Sequence, residues 1–357
     1  MKKIYFVLPS LNFGGGERVI VNIANNMDFE KYKVKIISLR NGNDLDSSIN
    51  EKIEVIKFNK SRVVVGIMDL MKYLKKDIPD IIFSGAGDIN IILGVLKNIT
   101  FLKHIKTMGR ERGVISRIFE NKKFNLKNSV IKFLYRYSLR NLDILIVQSK
   151  AMKDEFEKYI EIEKSKLKIF YNPIDFNLIE NKLKEKVNND GSKINLLSVG
   201  RLEDIKNHLK MLEIFQYLDQ EKYMLNIVGN GKNYKKIKNK IKELNLEKNI
   251  KLLGFNDNPY KYMSNSDILL ITSDREALPN VVLEANACGC YVLALDCPGG
   301  MKEIIEDNKN GKIVNSIKEM AKELEKINLN NSLREQVIKY SKKFDSKNYI
   351  KKLEEIL

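Results

Sequence analysis

Two carboxylates and two cations carry the chemistry this sequence offers. Glu276 and Glu284 stand eight residues apart in E-A-L-P-N-V-V-L-E, and Arg201 and Lys206 stand five apart in R-L-E-D-I-K. A carboxylate accepts hydrogen bonds from hydroxyls, so Glu284 suits a vicinal diol such as a ribose and Glu276 a sugar hydroxyl. Two cations flanking a helix start can clamp the two phosphates of one diphosphate. Together they describe a nucleotide-diphosphate-sugar better than a nicotinamide cofactor. The glutamate spacing alone also suggests acid–base catalysis, a reading that weakens once the cations are set beside it. As plain surface charges, all four would have to share a rim by accident.

Strand–turn–helix units must place these side chains. Residues 267–271 read as an apolar strand, 272–278 as a polar turn and 280–287 as a helix. Pro279 suits the first helical position, Gly289 ends the helix, and 291–295 form the next strand. Glu276 then lies in the turn and Glu284 one to two turns into the helix, at the carboxyl end of a parallel sheet where open α/β sheets bind ligands. The free N–H groups at the helix start, beside Leu278 and Asn280, suit a phosphate. Arg201 and Lys206 follow strand 194–199 in the same way, and strand 250–253 runs into Gly254 and Phe255.

The first half repeats this layout with weaker signals. Strand 3–8 breaks at Pro9 into a loop with G-G-G-E-R at 14–18, then a helix through Ala24. Glycine lets backbone N–H groups approach an anion closely, so Gly15 and Gly16 suit a phosphate. The spacing is neither G-x-G-x-x-G nor a loop ending in G-K-[ST], and a tight βα turn explains it equally well. Strands follow at 34–39, 55–58, 80–83, 105–108, 142–147 and 167–171, with a helix at 63–74. Strands alternating with helices at this pitch argue an α/β fold with doubly wound parallel sheets. A polar run at 180–193 marks the main break in pattern, after which 224–228 is one more strand. Cys288, Cys290 and Cys297 lack a neighbouring histidine and paired C-x2-C spacing, so they read as core residues rather than metal ligands. His104 and His208 are given no role.

The 357 residues suit two domains, and 43% hydrophobic content can fill two cores. No apolar run approaches the roughly 20 residues needed to cross a bilayer, and the start of the chain does not read as a signal peptide. A cytoplasmic protein is expected, and an odd number of crowded cysteines agrees with a reducing compartment. The net charge of +17 is uneven: residues 1–170 hold 32 basic and 19 acidic residues, and 101–140 alone hold 11 and two. Residues 114–140 mix Phe119, Phe124, Phe133, Tyr135 and Tyr137 with cations, a composition that can lie on an anionic bilayer. An ordinary crossover helix with a solvated lysine face is the competing reading.

Taken together, these motifs resemble the retaining glycosyltransferases of family 4. The segment from Glu276 to Glu284 looks like that family's E-x7-E element, followed by A-C-G at 287–289 and D-C-P-G-G at 296–300. G-R-L with Lys206 and Asn207 looks like its pyrophosphate motif, and the loop at 14–18 like its first-strand loop. The resemblance implies a GT-B fold, two Rossmann-like domains facing each other across a cleft. The domains are expected at 1–171 for the acceptor and 172–340 for the nucleotide sugar, with a C-terminal helix at 341–357 packing back on the first. It further implies that Arg201 and Lys206 hold the donor diphosphate, doing the electrostatic work a metal does elsewhere. Glu284 would bind the ribose and Glu276 the sugar, with Gly254 and Phe255 lining the base pocket. Gly15 and Gly16 would approach the donor phosphates or the acceptor. Many relatives carry a histidine after the strand ending at Met108; here Arg110, Glu111 and Arg112 stand there, similar to a Glu-Arg variant of one subgroup. Arg18, Glu111 and Arg112 are accordingly placed on the acceptor side.

The expectation is a hexose or N-acetylhexosamine transfer from a UDP-linked donor to a lipid-linked saccharide, for O-antigen or capsule assembly. No metal or other cofactor and no nucleic acid is expected, and the enzyme would sit peripherally on the inner face of the membrane. A soluble acceptor is the enzymatic alternative. A non-catalytic lipid or nucleic-acid binder on the same scaffold would leave Arg201, Lys206, Glu276 and Glu284 without a job.

Overall fold

Strands buried on both faces need unbroken apolar runs rather than alternation, and this chain supplies them twice. In a computed structural model, described over residues 1–113, 115–120, 126–185 and 192–357, the first set is β1 (Lys2–Leu8), β2 (Tyr32–Arg40), β3 (Glu54–Lys60), β4 (Ile81–Ser84), β5 (Lys106–Arg110), β6 (Ile144–Val147) and β7 (Leu167–Ile169). They form one parallel sheet in the order β3-β2-β1-β4-β5-β6-β7. The second set is β8 (Ile194–Val199), β9 (Tyr223–Val228), β10 (Ile250–Gly254), β11 (Ile268–Ile271), β12 (Tyr291–Leu295) and β13 (Gly311–Val314). It too is parallel, ordered β10-β9-β8-β11-β12-β13. Both sheets reverse their direction of growth once, between β1 and β4 and between β8 and β11. At such a switch point the flanking loops part and leave a crevice.

The chain divides into Met1–Pro173 with Ser346–Leu357, and Ile174–Asp345. The division precedes the polar run at 180–193, of which 186–191 lies outside the described residues, because helix Phe176–Lys182 already belongs to the second unit. The last helix, Ser346–Glu354, belongs to the first. Its Tyr349, Ile350 and Leu353 join Ile4, Phe6, Ile36 and Phe83 in one core. The second core gathers Leu196, Leu225, Ile227, Leu270 and Leu293 from its sheet, with Met320, Leu324 and Val337 from helices. No helix among the described residues is long and apolar enough to cross a membrane.

The aromatic segment at 114–140 is not one helix but two, Ser116–Phe119 and Leu126–Asn141; Val114 and Phe124 lie outside the described residues. Its aromatics sort into two sets. Phe119 stacks on Tyr159 at 5.3 Å and meets Tyr135 edge-on, whereas Phe133 and Tyr137 stack on each other at 6.0 Å and are exposed.

One ionic cluster is built into the first unit's core. Lys35 on β2, 5% exposed, contacts Asp77 at 2.8 Å, Glu54 at 2.7 Å and the Tyr73 hydroxyl at 2.9 Å. Asp77 also accepts from Lys3 and Tyr5. Burial alone would raise the Asp77 carboxyl, but those donors outweigh it and hold it well below the usual carboxylate range. Asp77→Asn strands a buried ammonium with one carboxylate fewer, and should cost about 3 kcal/mol in urea unfolding at neutral pH. A carboxyl held low in the folded state stabilises above its unfolded pKa and loses that contribution as pH falls. The variant should therefore lose less stability on acidification than the parent.

Candidate functional site

In the second unit, the loops leaving the sheet's carboxyl edge are bonded to one another, backbone to backbone, in strand order. The Gly229 N–H after β9 donates to the Gly254 carbonyl at the end of β10, at 2.7 Å. Leu202 N–H, after β8, donates to Asn230 at 2.9 Å. Asp274 N–H, after β11, donates to Ile205 at 2.9 Å, and the Thr272 hydroxyl reaches the Lys206 and Asn207 carbonyls at 3.2 and 3.1 Å. Glu276 N–H donates to Pro298, after β12, at 3.1 Å. One continuous rim results, and it carries Arg201, Lys206, Gly254 and Glu276.

Lys206 and Glu276 meet. The ammonium lies 2.5 Å from Glu276 Oε1, and the Ser273 hydroxyl donates to the same oxygen at 2.7 Å. Glu276 is 9% exposed, so both bonds form largely away from water, where charge-assisted bonds count for more. Converging on Oε1, they turn the carboxylate so that Oε2 faces elsewhere. Lys206 ends a short 3-10 turn, and Asn207 in the left-handed region redirects the chain into helix His208–Leu212. The Asn207 amide donates to Asp274 at 2.9 Å, so the turn is tied to the very loop that holds Glu276. Arg201 is exposed and makes no side-chain hydrogen bond or ion pair among the described residues.

Gly299 makes the Glu276 turn possible. It has φ +124°, and a Cβ there would stand 1.6 Å from the Glu276 carbonyl oxygen, which accepts from Gly300 N–H at 3.1 Å. Helix Asn280–Ala287 then carries Glu284 on its second turn, half-buried and accepting from the Tyr260 hydroxyl at 3.3 Å. Pro279 is the residue before the helix, in extended conformation, rather than its first member. Its carbonyl takes the Val282 N–H at 3.1 Å, and Leu278 is buried beneath. Asn280 opens the helix half-buried, and Phe255 is 57% exposed after Gly254. His208 is buried, and burial, with Lys206 nearby, pushes its imidazole down to about 4; it is neutral at physiological pH. The three cysteines are buried, with no paired sulfur.

The first unit brings its predicted residues together differently. Helix Gly15–Asn25 starts after Gly14, and Glu17 in its first turn pairs with Arg112 at 2.8 Å. A Cβ on Gly16 would meet the Arg112 side chain at 2.0 Å, so the guanidinium lies across the helix start. The expected phosphate cradle of Gly15 and Gly16 is thus already furnished with a carboxylate and its cation. Gly15 is exposed and Arg18 half-buried, one turn along. Glu111 is buried where β5 ends. Burial pushes its carboxyl up to about 7, against the Asn90 amide at 2.7 Å and the charge of Arg112, which both lower it. Arg110 is fully buried, donates to Asn172 and is pushed down to about 10 by burial. Gln148 links the two: Asn172 donates to its carbonyl oxygen at 3.1 Å, and it donates to the Glu111 backbone at 2.8 Å.

The residues missed from sequence are mostly these supports: Ser273, Pro298, Tyr260, Asn90, Gln148 and Asn172. Only D-C-P-G-G at 296–300 was a visible signal, a turn with no assigned task. Among the described residues no three His, Cys, Asp or Glu side chains are grouped so as to hold a metal ion.

The chain thus holds two doubly wound parallel sheets, with Lys206 resting on Glu276 among the loops at the switch point of the second. The family model for group 1 glycosyl transferases matches residues 179–344, and that for Glycosyltransferase Family 4 matches residues 13–178. The chain belongs to the family 4 glycosyltransferases, with the GT-B fold. It is 29% identical over 327 residues to the N-acetylgalactosamine-N,N'-diacetylbacillosaminyl-diphospho-undecaprenol 4-alpha-N-acetylgalactosaminyltransferase of Campylobacter jejuni, covering 88% of this chain and 86% of that one. The amylovoran biosynthesis glycosyltransferase AmsD of Erwinia amylovora is 22% identical over 312 residues, 86% of this chain and 85% of that one. In fold, Anabaena Alr3699/HepE in complex with UDP-glucose superposes with a TM-score of 0.81 at 19% identity, over 100% of this chain and 99% of that one.

Two outcomes follow from the geometry. Gly299→Ala should destabilise the second unit by more than about 2 kcal/mol in denaturant unfolding, since the Cβ has no room and the φ is strained. Glu111 has a folded-state pKa above its unfolded one, so the stability it contributes is complete in acid and is lost as pH rises through about 7. Glu111→Gln keeps an acceptor for Asn90 and should remove that loss, about 3 kcal/mol, between acid and neutral pH.

Proposed function

We propose that this glycosyltransferase moves a hexose or N-acetylhexosamine from a UDP-sugar to a lipid-linked saccharide in bacterial surface-polysaccharide assembly, with retention and without a metal. The observation that carries the reading is the Lys206–Glu276 contact of 2.5 Å at the switch point of the second sheet. It sets a cation for phosphate and a carboxylate for a sugar hydroxyl side by side. That pairing serves donor binding: Arg201 and Lys206 hold the diphosphate, Glu284 accepts from the ribose, and Glu276 Oε2 accepts from the sugar. Phe255 and Gly254 border the base, and Leu278 and Asn280 complete the pocket near the helix start. Acceptor recognition falls to Arg18, Glu111 and Arg112. The name of the Campylobacter relative, which specifies a diphospho-undecaprenol saccharide and an N-acetylgalactosaminyl group, supports the acceptor and sugar class.

Chemically, the bond from the anomeric carbon to the β-phosphate oxygen breaks while the acceptor oxygen bonds the same face of that carbon. The acceptor proton passes to the departing phosphate oxygen. Negative charge grows on the diphosphate, and Arg201 and Lys206 offset it where it develops. Glu276, locked by Lys206 and Ser273, keeps the sugar oriented rather than attacking it. The enzyme works peripherally on the cytoplasmic face of the membrane, where both substrates are available.

A hydrolysis and transfer screen of UDP-sugars with purified protein tests this. Glu276→Ala and Arg201→Ala should each lower turnover about 100-fold with the unfolding transition kept, UDP should raise the melting temperature, and chelators should leave the rate unchanged. Full activity in either variant, or a product of inverted anomeric configuration, would sink the assignment.

A further inference from the structure

At the amino edge of the second sheet, opposite the rim, lies a pocket of about 160 Å³ whose lining includes Asp267, Gly289, Tyr291, Asn330, Asn331 and Arg334. Asp267 precedes β11 and Tyr291 opens β12, while Asn330, Asn331 and Arg334 come from the start of helix Asn331–Ser341. All belong to the second unit. None is part of the rim. A cavity of this size holds one six-membered ring.

The pocket brings together two opposite charges that do not pair. Arg334, half-buried, donates through Nη2 to the Ser264 carbonyl and, at 2.9 Å, to the Cys288 carbonyl. Those bonds use one nitrogen. The rest of the guanidinium makes no hydrogen bond and no ion pair among the described residues. Asp267 accepts the Asn195 N–H at 2.8 Å through Oδ2, and its other oxygen has no bond among the described residues. Asn330 spends its side-chain oxygen on the Leu333 N–H at 2.8 Å, and Asn331 is exposed beside it. Gly289 clears the ground for Arg334: its φ is +81°, and a Cβ there would stand 2.5 Å from the Arg334 Cγ.

A half-buried guanidinium without a counter-charge favours an oxyanion. A carboxylate oxygen with open lone pairs favours a hydroxyl. A phosphate alone would leave Asp267 without a donor, and a neutral sugar would leave Arg334 without an anion. We propose that the pocket binds a phosphorylated monosaccharide as an effector, its phosphate on the Arg334 guanidinium and its hydroxyls on Asp267 and the Asn330 amide. The Cys288 carbonyl that Arg334 holds stands at the end of helix Asn280–Ala287. That helix begins at the rim and carries Glu284 on its second turn. An occupant that fixes Arg334 therefore acts on the donor side from the far end of one rigid element.

Titration calorimetry of the full chain with glucose 1-phosphate, inorganic phosphate and glucose tests this. Glucose 1-phosphate should saturate below about 10 mM, inorganic phosphate should bind about tenfold more weakly, and glucose not detectably. Arg334→Gln should weaken glucose 1-phosphate binding about tenfold. Because Arg334 also holds two carbonyls, Asn331→Asp is the companion variant. An acidic residue suits the first turn of a helix, so the fold is kept while a carboxylate faces the phosphate, again at a cost of about tenfold in affinity. Arg201→Ala should leave this binding as it was. Binding lost in Arg201→Ala but kept in the other two puts the sugar phosphate at the rim and overturns the proposal. Absence of saturation overturns it too, as does inorganic phosphate binding as tightly as the sugar phosphate. Hydrogen exchange over residues 280–287 should slow about threefold on binding; unchanged exchange there overturns the effector role.

Discussion

The rim of the second unit depends on one constraint: the loops of five adjacent strands are hydrogen-bonded to each other through their backbones. A side chain on a free loop samples many positions, whereas one on a stitched rim inherits the rigidity of the sheet. Lys206 and Glu276 come from segments seventy positions apart. They meet because β8 and β11 are neighbours at the point where the sheet reverses. Asp274, Thr272 and Asn207 then fix the two loops at the separation a salt bridge needs. The ion pair is thus a consequence of the rim as much as a part of it.

The first unit uses the same grammar for a different end. Its helix start bears a carboxylate of its own, Glu17, with Arg112 laid across Gly16. The positive end of the helix is satisfied internally, so a free phosphate gains less there than at an open helix start. Behind that pair, Arg110 and Glu111 are buried and linked through Asn172, Gln148 and Asn90. Two charged residues in succession, both removed from water, call for a polar shell, and here it is partial: Arg110 Nε and Nη1 and Asn90 Oδ1 find no hydrogen-bond partner among the described residues. Most of that shell comes from β6, the turn after β7 and helix Gly87–Lys97, elements remote in sequence.

The strands and their parallel order class were legible because apolar runs and glycine-bearing turns are local signals. The E-x7-E segment was legible for the same reason, its two glutamates being fixed by one turn and one helix. What escaped were relations between segments. Nothing local to Lys206 says that its ammonium will rest on Glu276, and nothing near Ser273 or Pro298 announces that one donates to that carboxylate and the other accepts the Glu276 backbone N–H. The aromatic stretch after Arg112 shows the limit most plainly. Composition merged rings and cations into a single surface, but helical geometry separated them, turning Phe119 and Tyr135 inward with Arg136 and leaving Phe133 and Tyr137 outside. The polar run at 180–193 is not itself the break: helix Phe176–Lys182 precedes it and already belongs to the second unit.

The return of helix Ser346–Glu354 to the first unit makes the second unit, in chain terms, an insertion within the first. A ribosome releases residues 174–345 before it releases Tyr349, Ile350 and Leu353, which the first core includes. The unit begun first is therefore the one completed last, and its sheet must wait for an entire intervening domain before the core closes. During that interval Arg110 lacks its Tyr349 neighbour, so the charged strand end beside Glu111 acquires its buried environment only once that helix has been made.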